Sequence, residues 1–314
     1  MKPGSSLLVL ALASCSGSTD PQAATPSDGG GAAGPGPLDL PGLMDRVRES
    51  NGLFVAAHRG GPTEGFPENA LETLGHGLEQ GIRVFEVDVG ESQDGVLYLM
   101  HDRSLRRLTG YDGAVADTDW SVVEALDLLD PDGEPTGFHP PTLSAALAWA
   151  TEHRAILELD RKETTSFRNI VAEVRAANAE NHVLLITYSD DEAIHVAKIA
   201  PDLMMTAGVR TTEQRERLAA AGVDLRRVVA WLGTRSIDAA TVAALRDDEI
   251  EAAFGTLGRP GARLDDEYAA DGDASEYQEL VDLGLTLLAT DRPYFVAREL
   301  EADDVAVDLI AGDR

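Results

Sequence analysis

Two histidines and a pair of carboxylates are the residues of this chain with the clearest capacity for chemistry. His58 follows the apolar run Phe54–Ala57, and His101 follows the apolar run 96–100. Between them the stretch 83–89 carries Glu86 and Asp88. Residues two apart on a strand point to the same face. Phe85, Val87 and Val89 make the opposite face apolar. The two carboxylates therefore point together into an interior, where they cost too much without a cation. A histidine titrates near neutral pH, so one imidazole can take a proton while another gives one. The chemistry to expect is acid–base catalysis beside a bound metal.

These groups need a scaffold that gathers them. Pro67-Glu68-Asn69 opens a helix with Asn69 as its N-cap, Leu71, Leu74 and Leu78 on one face, and Gly81 at its end. Asp94-Gly95 turns the chain from the strand 83–89 into the strand 96–100. No helix fits between those two, so one crossover is degenerate. Beyond residue 142 the pattern alternates. Helices are predicted at 143–152, 167–177, 191–199, 213–221, 237–246 and 277–283, and strands at 155–160, 183–188, 203–209, 228–232, 250–254 and 285–289. Alternation of this kind predicts a parallel sheet with helices outside. Residues 40–300 approach the ~250 of a TIM (β/α)8 barrel. Nine candidate strands are one too many for its ring, so either 228–232 or 96–100 lies outside it. His58, Glu86, Asp88, His101 and Glu158 all fall at or near strand carboxyl ends, the face where barrel active sites assemble. His76, His153, His182 and His195 read as surface residues, His139 as a possible substrate contact, and the acidic stretch 265–276 as a solvated loop.

Composition bounds the partners. The chain has 314 residues and a net charge of −29, which argues against nucleic acid and against direct docking on an anionic membrane. Lys2 and the apolar run 7–13 fit a signal peptide. Leu12-Ala13-Ser14-Cys15 resembles a bacterial lipobox, so Cys15, the single cysteine, is expected to be lipidated and to anchor an exported protein to a bacterial membrane. Residues 1–15 are then the leader, 16–39 a flexible tether, 40–300 the barrel and 301–314 an acidic tail.

The ordered set His58-Arg59-Gly60, Pro67-Glu68-Asn69, Glu86-x-Asp88, Asp94-Gly95-Val96, His101-Asp102, Leu105-x-Arg107, Pro141-Thr142-Leu143, Glu158 and Thr290-Asp291-x-Pro293 resembles the glycerophosphodiester phosphodiesterase family. The resemblance implies metal-dependent hydrolysis of glycerophosphodiesters to glycerol 3-phosphate and an alcohol. It implies His58 and His101 as the acid–base pair, Arg59 on the phosphate, and one divalent cation, Ca2+ or Mg2+, on Glu86, Asp88 and Glu158. Oxygen ligands suit such a hard cation. The chain departs from the family at two places. Asp160 stands where the family has a lysine after Glu-x. Either Glu158 is the ligand and Lys162 reaches back to the phosphate, which is the preferred reading, or the register moves by two and Asp160-x-Lys162 supplies ligand and lysine, as in sphingomyelinase D enzymes. Phe254-Gly255-Thr256-Leu257 replaces the family's Trp-Thr-Val-Asn segment. Two other readings stand beside the first: a lysophospholipase D or sphingomyelinase D-like phosphodiesterase, and a non-catalytic phosphodiester-binding barrel.

Overall fold

A computed structural model of the chain describes residues 37–270 and 272–312. Cys15, the leader and most of the tether lie outside these residues. Nine strands form: β1 (Phe54–Ala57), β2 (Val84–Glu91), β3 (Leu97–Leu99), β4 (Ile156–Arg161), β5 (Val183–Ile186), β6 (Met204–Ala207), β7 (Val228–Trp231), β8 (Glu251–Gly255) and β9 (Leu287–Thr290). Eight of them pair in parallel around a closed ring, with β1 joined to both β9 and β2. The surplus strand is β3. It pairs antiparallel with the far end of β2, through Val89–Leu99, Gly90–Tyr98 and Glu91–Leu97, so 228–232 belongs to the ring and 96–100 does not. Gly95, at φ 86°, supplies the left-handed turn between them.

The period-two pattern of the strands decides which residues face the lumen. Phe54, Val84, Ile156, Leu184, Met204, Val229, Ala253 and Leu287 meet there as one apolar layer, one residue from each ring strand. Phe85, Val87, Val89, Leu157 and Leu159 point the other way, into the helices outside. Two residues further along, Ala56 and Ala289 keep the lumen side of β1 and β9 apolar, whereas on other strands it changes character. On β2 and β4 it becomes Glu86 then Asp88 and Glu158 then Asp160, paired in register as Glu86–Glu158 and Asp88–Asp160.

The helices Leu40–Glu49 and Glu301–Ala311 plug the lower end of the ring. Leu40, Leu43, Met44, Ala306 and Ile310 share the lumen core. The segment read as an acidic tail is therefore a packed helix whose acids lie mostly on its outer side. Its Asp303 is buried and accepts from the Val55 N–H at 2.9 Å. Between β3 and the helix Leu143–His153, residues 100–141 fold over a satellite core of Tyr98, Met100, Leu105, Leu108, Val115, Val123 and Leu128.

Candidate active site

His58 leaves β1 directly into a 3-10 turn, His58–Gly60. Arg59 there takes left-handed angles, φ 52° and ψ 32°, uncommon for a residue with a side chain. Its N–H donates to Glu86 Oε2 at 2.7 Å, a short bond that offsets the strain. The His58 ring is anchored at Nδ1, 2.6 Å from Asp291 Oδ1, and its Nε2 lies 3.9 Å from Glu86 Oε2. Asp291 also accepts from the Gly258 N–H at 3.0 Å and from Arg263 Nη1 at 2.7 Å. Burial pushes the Asp291 carboxyl up, but the His58 hydrogen bond and charge, with Gly258 and Arg263, hold it at about 2.

His101 is held in the same manner. Its Nδ1 lies 2.7 Å from Asp102 Oδ1, and its Nε2 lies 2.7 Å from Arg59 Nη2. A guanidinium only donates, so Nε2 accepts there and the proton sits on Nδ1. Arg107 donates to Asp102 Oδ2 at 2.7 Å and to both Glu68 oxygens at 2.8 Å. Glu68 also accepts from Arg59 Nη1 at 3.2 Å. Burial raises the Asp102 carboxyl, and the bonds from Arg107 and His101 bring it down to about 2. Arg59 Nε is buried with no partner among the described residues, a free donor aligned with a guanidinium fork that matches phosphate.

Below the histidines, Glu86, Asp88 and Asp160 each offer one oxygen, all within 4.8 Å of one another. All three are buried. Asn69 clamps Asp88 from both sides: its Nδ2 donates to Asp88 Oδ2 at 2.7 Å and its Oδ1 accepts from the Asp88 N–H at 2.9 Å. Lys162 Nζ lies 2.5 Å from Asp88 Oδ1 and 2.6 Å from Asp160 Oδ2. Burial, and then the charges of Asp88 and Asp160, drive the Glu86 carboxyl well above the usual range. Asp88 ends below its usual value despite its burial, because Lys162 and His101 favour its charge. Asp160 Oδ1 is buried and unpartnered among the described residues. Clustered hard oxygens, mutual repulsion and an orphaned carboxylate oxygen fit a divalent cation.

The compact group thus contains Asp160 where the preferred sequence reading had Glu158. Glu158 faces the lumen beside Glu86, one pair deeper than Asp160, and burial alone pushes it up to about 7. It lines a cavity of about 280 Å3 with Thr206, Trp231, Leu257 and Tyr188, open above the apolar layer. Trp231, on β7, lies across Gly255 of β8, where an added Cβ would sit 2.8 Å from its ring. Gly255, in the segment Phe254-Gly255-Thr256-Leu257, thus leaves room for the Trp231 ring of the neighbouring strand.

Three further expectations change. Asn69 is not a cap: the helix Leu71–Glu79 starts after Ala70, and Asn69 sits at φ 61° holding Asp88. His182 is buried, with Nδ1 2.9 Å from the Ala155 carbonyl. Asp265 is fully buried rather than part of a solvated loop. Glu68, Asn69, Asp102, Arg107 and Asp291 lie inside quoted motifs, yet their anchoring roles needed the contacts to be seen. His139 is exposed, its ring on the Leu126 carbonyl.

Residues 58–246 match the model of the glycerophosphoryl diester phosphodiesterase family, more than half of the chain. Among curated relatives, a Bacillus subtilis protein of uncharacterized function, YqiK, is 28% identical over 155 residues, 48% of this chain and 63% of its own. A Mycobacterium tuberculosis protein described as a probable glycerophosphodiester phosphodiesterase 2 is 30% identical over 139 residues, 44% of this chain and 50% of its own. The chain thus spans between half and two thirds of the length of these relatives. The fold matches a crystal structure of a glycerophosphoryl diester phosphodiesterase from Parabacteroides distasonis, with a TM-score of 0.71 at 24% identity over 84% of this chain and 92% of that one. It also matches an Oleispira antarctica phosphodiesterase solved with its product sn-glycerol-3-phosphate, with a TM-score of 0.60 at 22% identity over 83% and 99%.

Proposed function

This chain belongs to the glycerophosphoryl diester phosphodiesterase family, and from that membership we propose that it hydrolyses glycerophosphodiesters to glycerol 3-phosphate and an alcohol. The observation that carries the proposal is the matched anchoring of the two histidines. Each gives its Nδ1 to an aspartate, Asp291 or Asp102, and turns Nε2 toward the site, His58 beside Glu86 and His101 onto the Arg59 guanidinium. A base oriented by a third group is the arrangement that proton transfer requires. One Nε2 takes the proton from the attacking hydroxyl, of the glycerol or of water, as its oxygen bonds to phosphorus. The other ring delivers a proton to the departing alcohol oxygen as the P–O bond breaks. Where the glycerol hydroxyl attacks, the product of this step is a cyclic phosphate, which water opens to glycerol 3-phosphate with the two rings exchanging roles. Arg59, tied through Nη1 to Glu68 and through Nη2 to His101, brings its fixed positive charge to the non-bridging oxygens and has Nε as its uncommitted donor.

Glu86, Asp88 and Asp160 are the residues that would hold a divalent cation, Ca2+ or Mg2+. When bound, it supplies neutralisation of charge on the phosphoryl oxygens. Lys162 keeps Asp88 and Asp160 together and stands one side chain away from that charge.

The Asp160-x-Lys162 spacing and the cavity wall of Trp231, Leu257 and Tyr188 favour one second reading, a lysophospholipase D or sphingomyelinase D-like activity on lipid substrates. Phosphorus NMR of products from glycerophosphocholine and from lysophosphatidylcholine separates the two. Glycerol 3-phosphate from the first substrate alone supports the proposal, and turnover of only the lipid overturns it.

The short charged and apolar run ending at Cys15 supports export and lipid anchoring at a bacterial membrane. Cys15→Ala is expected to move the protein to the soluble fraction, and retention in the membrane fraction would refute the anchor.

A further inference from the structure

One fully buried acid takes no part in the chemistry above. Asp265 is the second residue of the short helix Leu264–Tyr268 in the connection between β8 and β9. It is 0% exposed, and each of its side-chain contacts is with a donor. Oδ1 accepts from the Tyr277 hydroxyl at 2.8 Å and from the Thr290 hydroxyl at 2.7 Å. Oδ2 accepts from the Asp291 N–H at 2.7 Å. The donors lie 12 to 26 positions away in sequence, so the acid ties its connection to the end of β9. The same connection reaches Asp291 twice more, through the Gly258 N–H and Arg263. Asp291 is thereby held by its backbone and by one carboxylate oxygen, and its other oxygen is left for His58 Nδ1.

We propose that Asp265 is a positioning residue for the reaction: by fixing the backbone of Asp291 it sets the carboxylate that orients the His58 ring. This rests on the phosphodiesterase reading of the site. A buried carboxylate loaded with three donors is costly to assemble for packing alone, since an apolar side chain of the same shape is often as stable. Its position gives it a use. Asp291 stands one residue past the end of β9, where the chain has left the sheet, and its only backbone donor is spent on Asp265. Without that bond the Asp291 backbone is released, its carboxylate is held only by Gly258 and Arg263 of the loosened connection, and the His58 ring is less firmly fixed in tautomer and direction.

The test compares Asp265→Asn, Asp291→Asn and the double variant. Asp265→Asn keeps the size but turns an amide NH2 toward a donor. For a folded Asp265→Asn, kcat for glycerol 3-phosphate release is expected to fall about tenfold or more with KM within about twofold. The His58 Nδ1–H signal in NMR, held downfield by its bond to Asp291, should move upfield and broaden. The double variant should be no worse than Asp291→Asn, because both act through one contact. A merely structural role predicts additive losses with an unmoved His58 signal, and that result overturns the proposal. Should Asp265→Asn not fold, Thr290→Val removes one donor and is read by the same shift. The signal is assigned by its loss in His58→Gln and compared at one pH in each protein. This readout needs no turnover. Inactive wild-type protein with a moved His58 signal therefore refutes the function and keeps the positioning role. Active wild-type protein with an unmoved signal does the reverse.

Discussion

The two imidazoles are defined less by their own positions than by what holds their Nδ1 atoms. Residue type alone made His58, His101, Glu86 and Asp88 legible, because few other side chains do this chemistry at strand ends. The choice between Glu158 and Asp160 was not legible. Both face the lumen, and only depth along the barrel separates them. Asn69 was misread because a short amide suits an N-cap and a carboxylate clamp equally well. Lys162 occupies the gap between Asp88 and Asp160, so its loss leaves two buried carboxylates facing each other beside the phosphate site. Lys162→Ala is expected to lower phosphodiester turnover more than about tenfold, the range of a lost charge-assisted contact. Steady-state kinetics under saturating cation measure this, and unchanged kinetics would remove Lys162 from the site.

Register along β2 and β4 is what stacks two carboxylate pairs in the lumen, and it depends on the outer face of β2 seating correctly. Phe85 packs against the helix Leu71–Glu79 at Gly77, where an added Cβ would lie 2.6 Å from the ring. In an ordinary helix interior, Gly to Ala gains up to about 1 kcal/mol. Here overpacking reverses the sign, and Gly77→Ala is expected to destabilise by about 1–3 kcal/mol in urea unfolding; a stabilised variant would contradict this packing. The ring strands were readable from their apolar runs and turn signals. The status of β3 was not, since a three-residue apolar strand in a hairpin and a ring strand share one pattern. Asp265 was hidden for a related reason: a run of acids carries no periodicity, and its partners Tyr277 and Thr290 come from distant elements.

The barrel as a whole is closed below by the helices Leu40–Glu49 and Glu301–Ala311, and Asp303 brings a pH dependence to that closure. Burial pushes its carboxyl up to about 7, against about 4 in an unfolded chain. Between those values the folded state holds a proton that the unfolded state has lost, so stability rises as pH falls from 7 toward 4. Asp102 and Asp291, held at about 2, act oppositely: their contribution is present above about 4 and is lost as pH falls through 2. Urea unfolding of EDTA-treated protein from pH 8 to 4 should show a gain on acidification. Asp303→Asn should flatten it by on the order of 1–3 kcal/mol, leaving the part due to Glu86 and Glu158. An identical profile in the variant would place the proton elsewhere.

The most direct test of the acid triad and the two histidines working together is the rate of glycerol 3-phosphate release from glycerophosphocholine by protein stripped with EDTA, before and after Mg2+ or Ca2+ is restored. The expected result is no release from stripped protein and full release once one of these cations is added. Release that persists in EDTA, or none with either cation present, would contradict the account.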